Sequence, residues 1–364
     1  MEIGSEFHFE REYKIGQNNS FNNIVSSFHS IDLKKIEYCG SGRSALKIII
    51  NALRDNCPEI NKVFFPAFLC ESIITPFEDS GFECYFYDAF LENNNMEAYL
   101  EETIKNNSLF YIIDYFGYEN SPFESIVYKL KSKYNLIILN DITHSIFTDK
   151  KNKGYADFYI SSLRKWLGIP SGGLVINNTN YEISNYEINS NFSFSNTRYK
   201  ALKEKEEYVK GTINKKIKFL TLFSKGEKIL EKQIGIHPID DISMEIISNY
   251  DFYGMIEKRR KNYLYLLSGL EGLSDVMPLH KKMDANICPI FFVLRTKRRD
   301  ELQKYLIDKE IFAPIHWPKP GILINNEVKI NDFAYNELLS IPCDQRYNLS
   351  DMERIIKVIN QWGD

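Results

Sequence analysis

Three short segments of this chain carry residue types that could do chemistry together. The first is Gly40-Ser-Gly-Arg-Ser-Ala45, which follows an apolar run and opens a helical one. Glycines there let backbone approach a ligand, and the amides of a helix start point at an anion. The second is Asp141, which closes the apolar run 136–140 and is followed by Ile-Thr-His144. A carboxylate at the carboxyl end of a parallel strand lies where open α/β sheets hold their ligands; an Asp in that position also serves as a helix N-cap. The third is Ser161-Ser162-Leu-Arg-Lys165, shortly before Gly172-Gly173. A lysine in a short loop between two apolar strands has two fates. It is either exposed or partly desolvated, and desolvation lowers its pKa and makes it a usable Schiff-base nucleophile.

In this order the three segments supply what pyridoxal 5'-phosphate asks of a protein. It needs a cradle for its phosphate, a carboxylate that keeps its pyridine nitrogen protonated, and an amine for its aldehyde. The spacing of the first segment also satisfies the dinucleotide-binding pattern. That pattern requires an acidic residue closing the next strand, and the next strand closes Phe64-Phe65-Pro66-Ala67. A phosphate-sized anion suits this turn better than a dinucleotide.

The elements that must position these groups follow from hydrophobic periodicity. Residues 35–39, 62–66, 83–87, 109–114 and 136–140 read as short buried strands, and 44–54, 71–79, 96–105 and 122–133 carry apolar residues at helical spacing. Strict alternation predicts βα units and a mostly parallel sheet with helices on both faces. Runs 157–161 and 173–177 follow with no helix between them. Residues 197–231 are rich in Lys and Glu and read as helices whose charge forms a solvated face. Residues 246–267 read as one long helix, with Pro238 as a boundary before it. A strand at 287–294, a helix at 298–308, a strand near Phe312 and a helix at 349–362 complete the pattern. Ser350 and Asp351 suit the start of that last helix. The fold class is α/β: a large seven-stranded-type sheet domain with an N-terminal arm over residues 1–240, and a small α+β domain over 241–364.

Composition narrows the function class. The chain has 364 residues, 44% of them hydrophobic and 26% charged, with a net charge of -4. Phosphate contacts need a basic surplus, so a nucleic-acid partner is not expected. No apolar run reaches membrane-spanning length, and the charged start lacks a signal core, so a cytoplasmic protein is expected. Six scattered cysteines without a CxxC suit reduced thiols and no metal site.

The chain resembles the DegT/DnrJ/StrS family of sugar aminotransferases, pyridoxal-phosphate enzymes of fold-type I, through segments 40–46, 63–68, 114–117, 140–144, 165–173 and the ending Ile341-Pro-Cys-Asp344. The resemblance implies that Lys165 forms the Schiff base and shuttles protons, and that Asp141 pairs with the pyridine nitrogen. His144 would stand near the cofactor's phenolic oxygen. Gly42, Arg43 and Ser44 would hold the phosphate together with Ser161 or Ser162. It also implies an amino donor, L-glutamate, a nucleotide-linked keto-deoxysugar as acceptor, and a homodimer.

The departures are specific. Cys70 stands where the family commonly stacks an aromatic, leaving Cys70 itself or Tyr115 or Phe116 to cover the ring. Asp114 replaces a histidine. The asparagine that crosses the family's dimer has no counterpart before Ile242, with Ser243 nearby. These departures keep two other readings open, an aminotransferase for a small phosphorylated ketone or aldehyde and an inactive binding or sensor protein. His316 and Trp317 either line the substrate mouth or form a Pro-bracketed turn. Arg346 either grips the donor's carboxylate or sits in an ion pair. The arm 4–7 either packs locally or reaches over a neighbouring subunit.

Overall fold

The computed structural model describes residues 2–9, 21–90, 96–118, 121–151, 153–183, 186–325 and 332–363. An arm strand, β1 (Ile3–Gly4), precedes seven strands: β2 (Ile36–Cys39), β3 (Lys62–Pro66), β4 (Glu83–Tyr87), β5 (Ser108–Ile113), β6 (Leu136–Asp141), β7 (Phe158–Ser162) and β8 (Gly173–Asn177). They form one sheet in the order β2-β8-β7-β6-β5-β3-β4. The pairs from β7 across to β4 are parallel. The helices Gly42–Asn56, Glu71–Glu78, Met96–Thr103 and Ser121–Tyr134 connect successive strands. Covered on both faces, the central strands are apolar nearly throughout; Val63, Phe64, Phe65, Leu109, Phe110 and Tyr111 are all fully buried.

Strand β8 is antiparallel to both of its neighbours, β7 and β2. Hence β2 runs in the same direction as β6 and β7. Their carboxyl ends share one edge of the sheet, which brings together the turn after Cys39, Asp141 and Ser162. Close approach at this edge depends on Gly173, where a Cβ would lie 2.3 Å from the Ser41 carbonyl oxygen.

The C-terminal part adds β9 (Met277–Pro278), β10 (Phe292–Arg295), β11 (Ile311–Phe312) and β12 (Leu338–Ile341). Strands β12, β10 and β9 form a second, antiparallel sheet. Its own core includes Leu266, Leu294, Leu306 and Ile355, and the arm residue Ile3 belongs to it. The arm packs locally: β1 pairs with β11, and Arg198 donates to Glu6 at 2.8 Å.

Several expectations are corrected. The single helix at 246–267 is two, Asp241–Asn249 and Phe252–Gly269. Asp251 caps the second by accepting from the Gly254 amide at 2.9 Å, so a new helix starts there. The strand expected at 287–294 begins only at Phe292, because the Cys288 amide donates to Thr148 Oγ1 at 3.0 Å rather than to a strand. Residues 197–231 do form two helices, Ser193–Val209 and Ile217–Glu231. Their charge is not all solvated, however, because Arg198, Lys205 and Glu206 are buried. All six cysteines are free, and among the described residues no helix is long and apolar enough to cross a membrane.

Candidate active site

A cavity of ≈ 620 Å³ opens at the sheet edge described above. Gly42, Arg43, Cys70, Asp141, His144, Ser162, Lys165 and Trp317 all line it. Segments more than 270 residues apart in the chain (42 to 317) therefore meet in one space.

Asp141 is buried, and both of its oxygens are held. Oδ1 accepts from the Thr143 amide at 2.9 Å, and Oδ2 accepts from the Tyr111 hydroxyl at 2.8 Å. Burial raises its pKa by more than the hydrogen bonds from Thr143 and Tyr111 lower it, so it stays above the usual carboxylate value. Thr143 and Tyr111 escaped the sequence reading. Thr143 was legible in principle, since an Asp often bonds the amide two residues on. Tyr111 needed the register of β5 against β6.

Lys165 sits in the short turn between β7 and β8, and its side chain is exposed toward the cavity. Of the two fates open to it from sequence, exposure is the one seen, because the loop places it at an open edge. It is the lysine among the described residues that line the cavity.

Ser162 faces the cavity and Ser161 does not. Successive side chains in a strand alternate between faces, so Ile160 and Ser162 line the space while the buried Ser161 Oγ points to the other face without a partner among the described residues. Ser44 is likewise turned away, its hydroxyl accepting from the His237 amide at 3.2 Å. Ser41, not singled out from sequence, caps the helix by accepting from the Ser44 amide at 3.1 Å. Gly42 and Arg43 are left at the open helix end, and Arg43 Nη1 is buried without a hydrogen-bond partner among the described residues.

His144 lies between two rings, Phe116 at 5.6 Å and Trp317 at 5.7 Å between centroids, both stacked on it. Its Nδ1 accepts from the Phe116 amide at 3.4 Å, which leaves the proton of the neutral ring on Nε2. Burial, with the nearby charge of Lys165, pushes its pKa down to about 3. Neither Tyr115 nor Phe116 lines the cavity. Tyr115 bonds the Phe68 carbonyl and Phe116 backs His144, so neither replaces the missing aromatic. Cys70 lines the wall with its Sγ 3.1 Å from the Ser72 hydroxyl.

His316 and Arg346 are not in this cavity; both line an adjoining one. His316 Nδ1 is 2.9 Å from the Ser340 hydroxyl. Arg346 is held by Asp344, with Nε–Oδ1 at 2.8 Å and Nη2–Oδ2 at 2.9 Å. Glu227 and Glu231, from the charged helix Ile217–Glu231, also line the main cavity. Nothing in their sequence context singled them out.

Behind the site, Lys150 is buried between Asp114 at 2.6 Å and Glu124 at 3.1 Å. Burial opposes its ammonium form, but the two carboxyls outweigh it and hold its pKa above the usual value. Ser145 donates to Asp114 at 2.7 Å, which ties the loop carrying His144 to the end of β5. Lys150→Met should lower the unfolding free energy by about 3–5 kcal/mol, because Asp114 would be left buried and unpaired. Urea unfolding of the variant checks this, and a loss below about 1 kcal/mol contradicts it.

The buried His29 behaves like His144: burial first, then the charge of Lys150, pushes its pKa from 6.5 to about 4. The unfolded chain therefore binds protons that the folded chain refuses. Stability is expected to fall as pH drops from about 6.5 toward 4. In a pH series of unfolding curves His29→Gln should show a shallower fall; an unchanged slope would remove His29 from the explanation.

No protein-family model matches the chain. The solved structures it resembles share its fold. PseC of Helicobacter pylori, an aminotransferase involved in the biosynthesis of pseudoaminic acid, superposes with a TM-score of 0.69 at 14% identity, over 99% of both chains. A DegT/DnrJ/EryC1/StrS aminotransferase from Brucella abortus gives 0.62 at 16% identity, over 94% of this chain and 89% of that one. Spr1654 of Streptococcus pneumoniae, described as a sugar aminotransferase and solved in its PLP form, gives 0.65 at 14% identity, over 97% and 93%. Among curated proteins, the dTDP-3-amino-3,6-dideoxy-alpha-D-galactopyranose transaminase of Aneurinibacillus thermoaerophilus is 24% identical over 114 residues, which are 29% of this chain. The match spans 31% of the length of that relative.

Proposed function

We propose that this chain is a pyridoxal-phosphate-dependent aminotransferase that moves an amino group from L-glutamate to a keto group of a nucleotide-linked deoxysugar. The observation that carries the reading is the convergence of Lys165 and Asp141 on one cavity of ≈ 620 Å³. The fold it shares with sugar aminotransferases and the short match to a dTDP-sugar transaminase support it. The residues fit the cofactor by their own chemistry: a buried carboxylate, a buried guanidinium nitrogen without a partner at a helix start, and a lysine reaching the same space.

Pyridoxal phosphate, when bound, supplies an electron sink for the carbanion formed at the amino-bearing carbon. Asp141 holds negative charge where the ring nitrogen's proton must stay, and Thr143 and Tyr111 keep that carboxylate oriented. The amides of Gly42 and Arg43, the Arg43 guanidinium and the Ser162 hydroxyl bind the phosphate. Lys165 Nζ removes and returns the substrate proton. His144 stays neutral at physiological pH and offers its Nε2–H and a flat face, with Cys70 on the wall. Trp317 borders the acceptor side. The reading extends to a cytoplasmic homodimer, with the cofactor domain over 1–240 and the smaller domain over 241–364.

The test is direct amination. Purified protein supplied with the cofactor and L-glutamate is incubated with a panel of nucleotide-linked keto sugars and small phosphorylated ketones. Mass spectrometry should find a nucleotide sugar whose ketone has become an amine. Amination of the small ketones alone would reject the acceptor class, and no amination of any acceptor would reject the enzyme reading.

A further inference from the structure

Behind the site two carboxyls face one ammonium. Asp114, Glu124 and Lys150 are 0%, 1% and 2% exposed, so water serves none of them. Lys150 Nζ lies 2.6 Å from Asp114 Oδ2 and 3.1 Å from Glu124 Oε1. Ser145 Oγ donates to the same Asp114 Oδ2 at 2.7 Å. Each carboxyl thus has one oxygen served and one without a donor among the described residues, Asp114 Oδ1 and Glu124 Oε2. The two carboxyls also meet as hydrogen-bonding groups. Two carboxylates cannot donate to each other, and two buried negative charges with one counter-ion are costly. One added proton removes both difficulties, because it cancels the surplus charge and supplies the missing donor.

Other titratable groups face this trio from several elements. They are His29 at the end of the helix Phe21–His29, Tyr87 on β4, Tyr155 and Tyr159 before and on β7, and Asp141 at the end of β6. His29, with a pKa of about 4, is neutral at physiological pH. Burial first pushes the three phenols up. None of these groups adds a second positive charge. Burial, with the Asp114 charge, pushes the Glu124 pKa from 4.5 up to about 8, more than Lys150 pulls it down.

Asp114 also joins the segments that fix His144. Its amide donates to the Asp141 carbonyl at 3.3 Å. It stands two residues before Phe116, and its Oδ2 holds Ser145, the neighbour of His144. The bond from the Phe116 amide to His144 Nδ1 therefore spans two segments that Asp114 ties together.

We propose that Asp114 and Glu124 hold one proton between them, and that this shared proton locks the loop bearing His144 against the end of β5. Glu124 is then a positioning residue, acting through Asp114 and Ser145. Its effect on amino transfer rests on the function proposed above; the shared proton and the lock do not. Loss of the proton leaves Lys150 divided between two carboxylates that repel each other, and the grip on Ser145 loosens. The unfolded carboxyl releases its proton near pH 4.5 and the folded one near pH 8. The stabilisation is therefore complete at low pH and is lost as pH rises toward about 8.

The experiment compares the full chain with Glu124→Gln, whose amide is neutral and can donate to Asp114. Urea unfolding across this range gives the ratio of the two folding constants, in which the opposite contributions of His29 and His144 cancel. The parent-to-variant ratio should fall nearly tenfold per pH unit between about pH 5 and 7. Should Glu124→Gln not fold, infrared spectra of the Asp141→Asn protein decide instead. They should show a protonated-carboxyl stretch near neutral pH that vanishes by about pH 9.5. A flat stability ratio, or no such stretch, overturns the shared proton. Nitrogen NMR of the imidazoles, assigned with His144→Gln, reads the lock. The His144 signals should move between about pH 7 and 9 in the parent, and signals that hold still overturn it. With cofactor and amino donor added, the variant-to-parent rate of amino transfer should rise about threefold or more over the same interval. A flat rate ratio removes Glu124 from catalysis. No amino transfer at any pH rejects the function reading, and the unfolding and NMR results still decide the proton and the lock.

Discussion

Lys165→Ala is expected to abolish amino transfer, with turnover lowered on the order of 10⁴-fold or more. No other lysine among the described residues lines the cavity. The other cations there are Arg43 and Arg164, and a guanidinium neither condenses with an aldehyde nor gives up its proton near neutral pH. Arg164 is also held by Glu227 at 3.0 Å. Lys165→Arg should be equally inactive, since it keeps the charge but not the chemistry. Lys165 is exposed and caps no buried group, so unfolding curves of both variants should overlay those of the parent. The visible absorbance of the bound cofactor should change in both. Measurable single-turnover transfer by Lys165→Ala would mean that another group supplies the amine, and the site would have to be redrawn.

Asp141→Asn separates electrostatics from shape. The amide keeps the size of the carboxylate, and its oxygen can still accept from the Thr143 amide. Its NH₂ then faces Tyr111, whose hydroxyl can turn to accept. The fold and much of the cofactor affinity should survive. What disappears is the negative charge that holds a proton on the ring nitrogen. A partner charge of this kind is worth about two to three pKa units, so turnover should fall roughly 10²–10³-fold. Stopped-flow kinetics of the glutamate half-reaction, together with cofactor titration, measure the two quantities separately. Turnover within a factor of about three of the parent would be incompatible with the electron-sink role.

The two variants exploit features that differ in how far they were legible beforehand. Lys165 and Asp141 are marked by local context, each beside an apolar run that becomes a strand. The bounds of β3, β4 and β8 coincide with their periodic segments; for β3 and β8, buried almost throughout, the reason is that a strand covered on both faces must be apolar along its length. Other positions depend on groups far away in the chain. Of the two adjacent serines at 161 and 162, only the pleat of β7 between β6 and β8 selects Ser162. The pairing of Arg346 with Asp344, two residues before it, lies within local reach, whereas that Glu227 borders the cavity follows from how helices and loops pack. The absence of Tyr115 and Phe116 from the cavity wall is of the same kind. Phe116, at a left-handed φ of 60°, sits behind His144 instead of beside the open space.

By itself the sequence determined which reactive groups exist, their order, and the elements that end at them, since strand and helix formation answer to neighbours within a few residues. Only the tertiary structure decided which face each side chain takes, which charges are neutralised, and that one nitrogen of the buried Arg259 has no acceptor among the described residues. Most of those outcomes depend on strand register and on contacts between segments far apart in the chain, such as Arg198 with Glu6, and no local pattern encodes them.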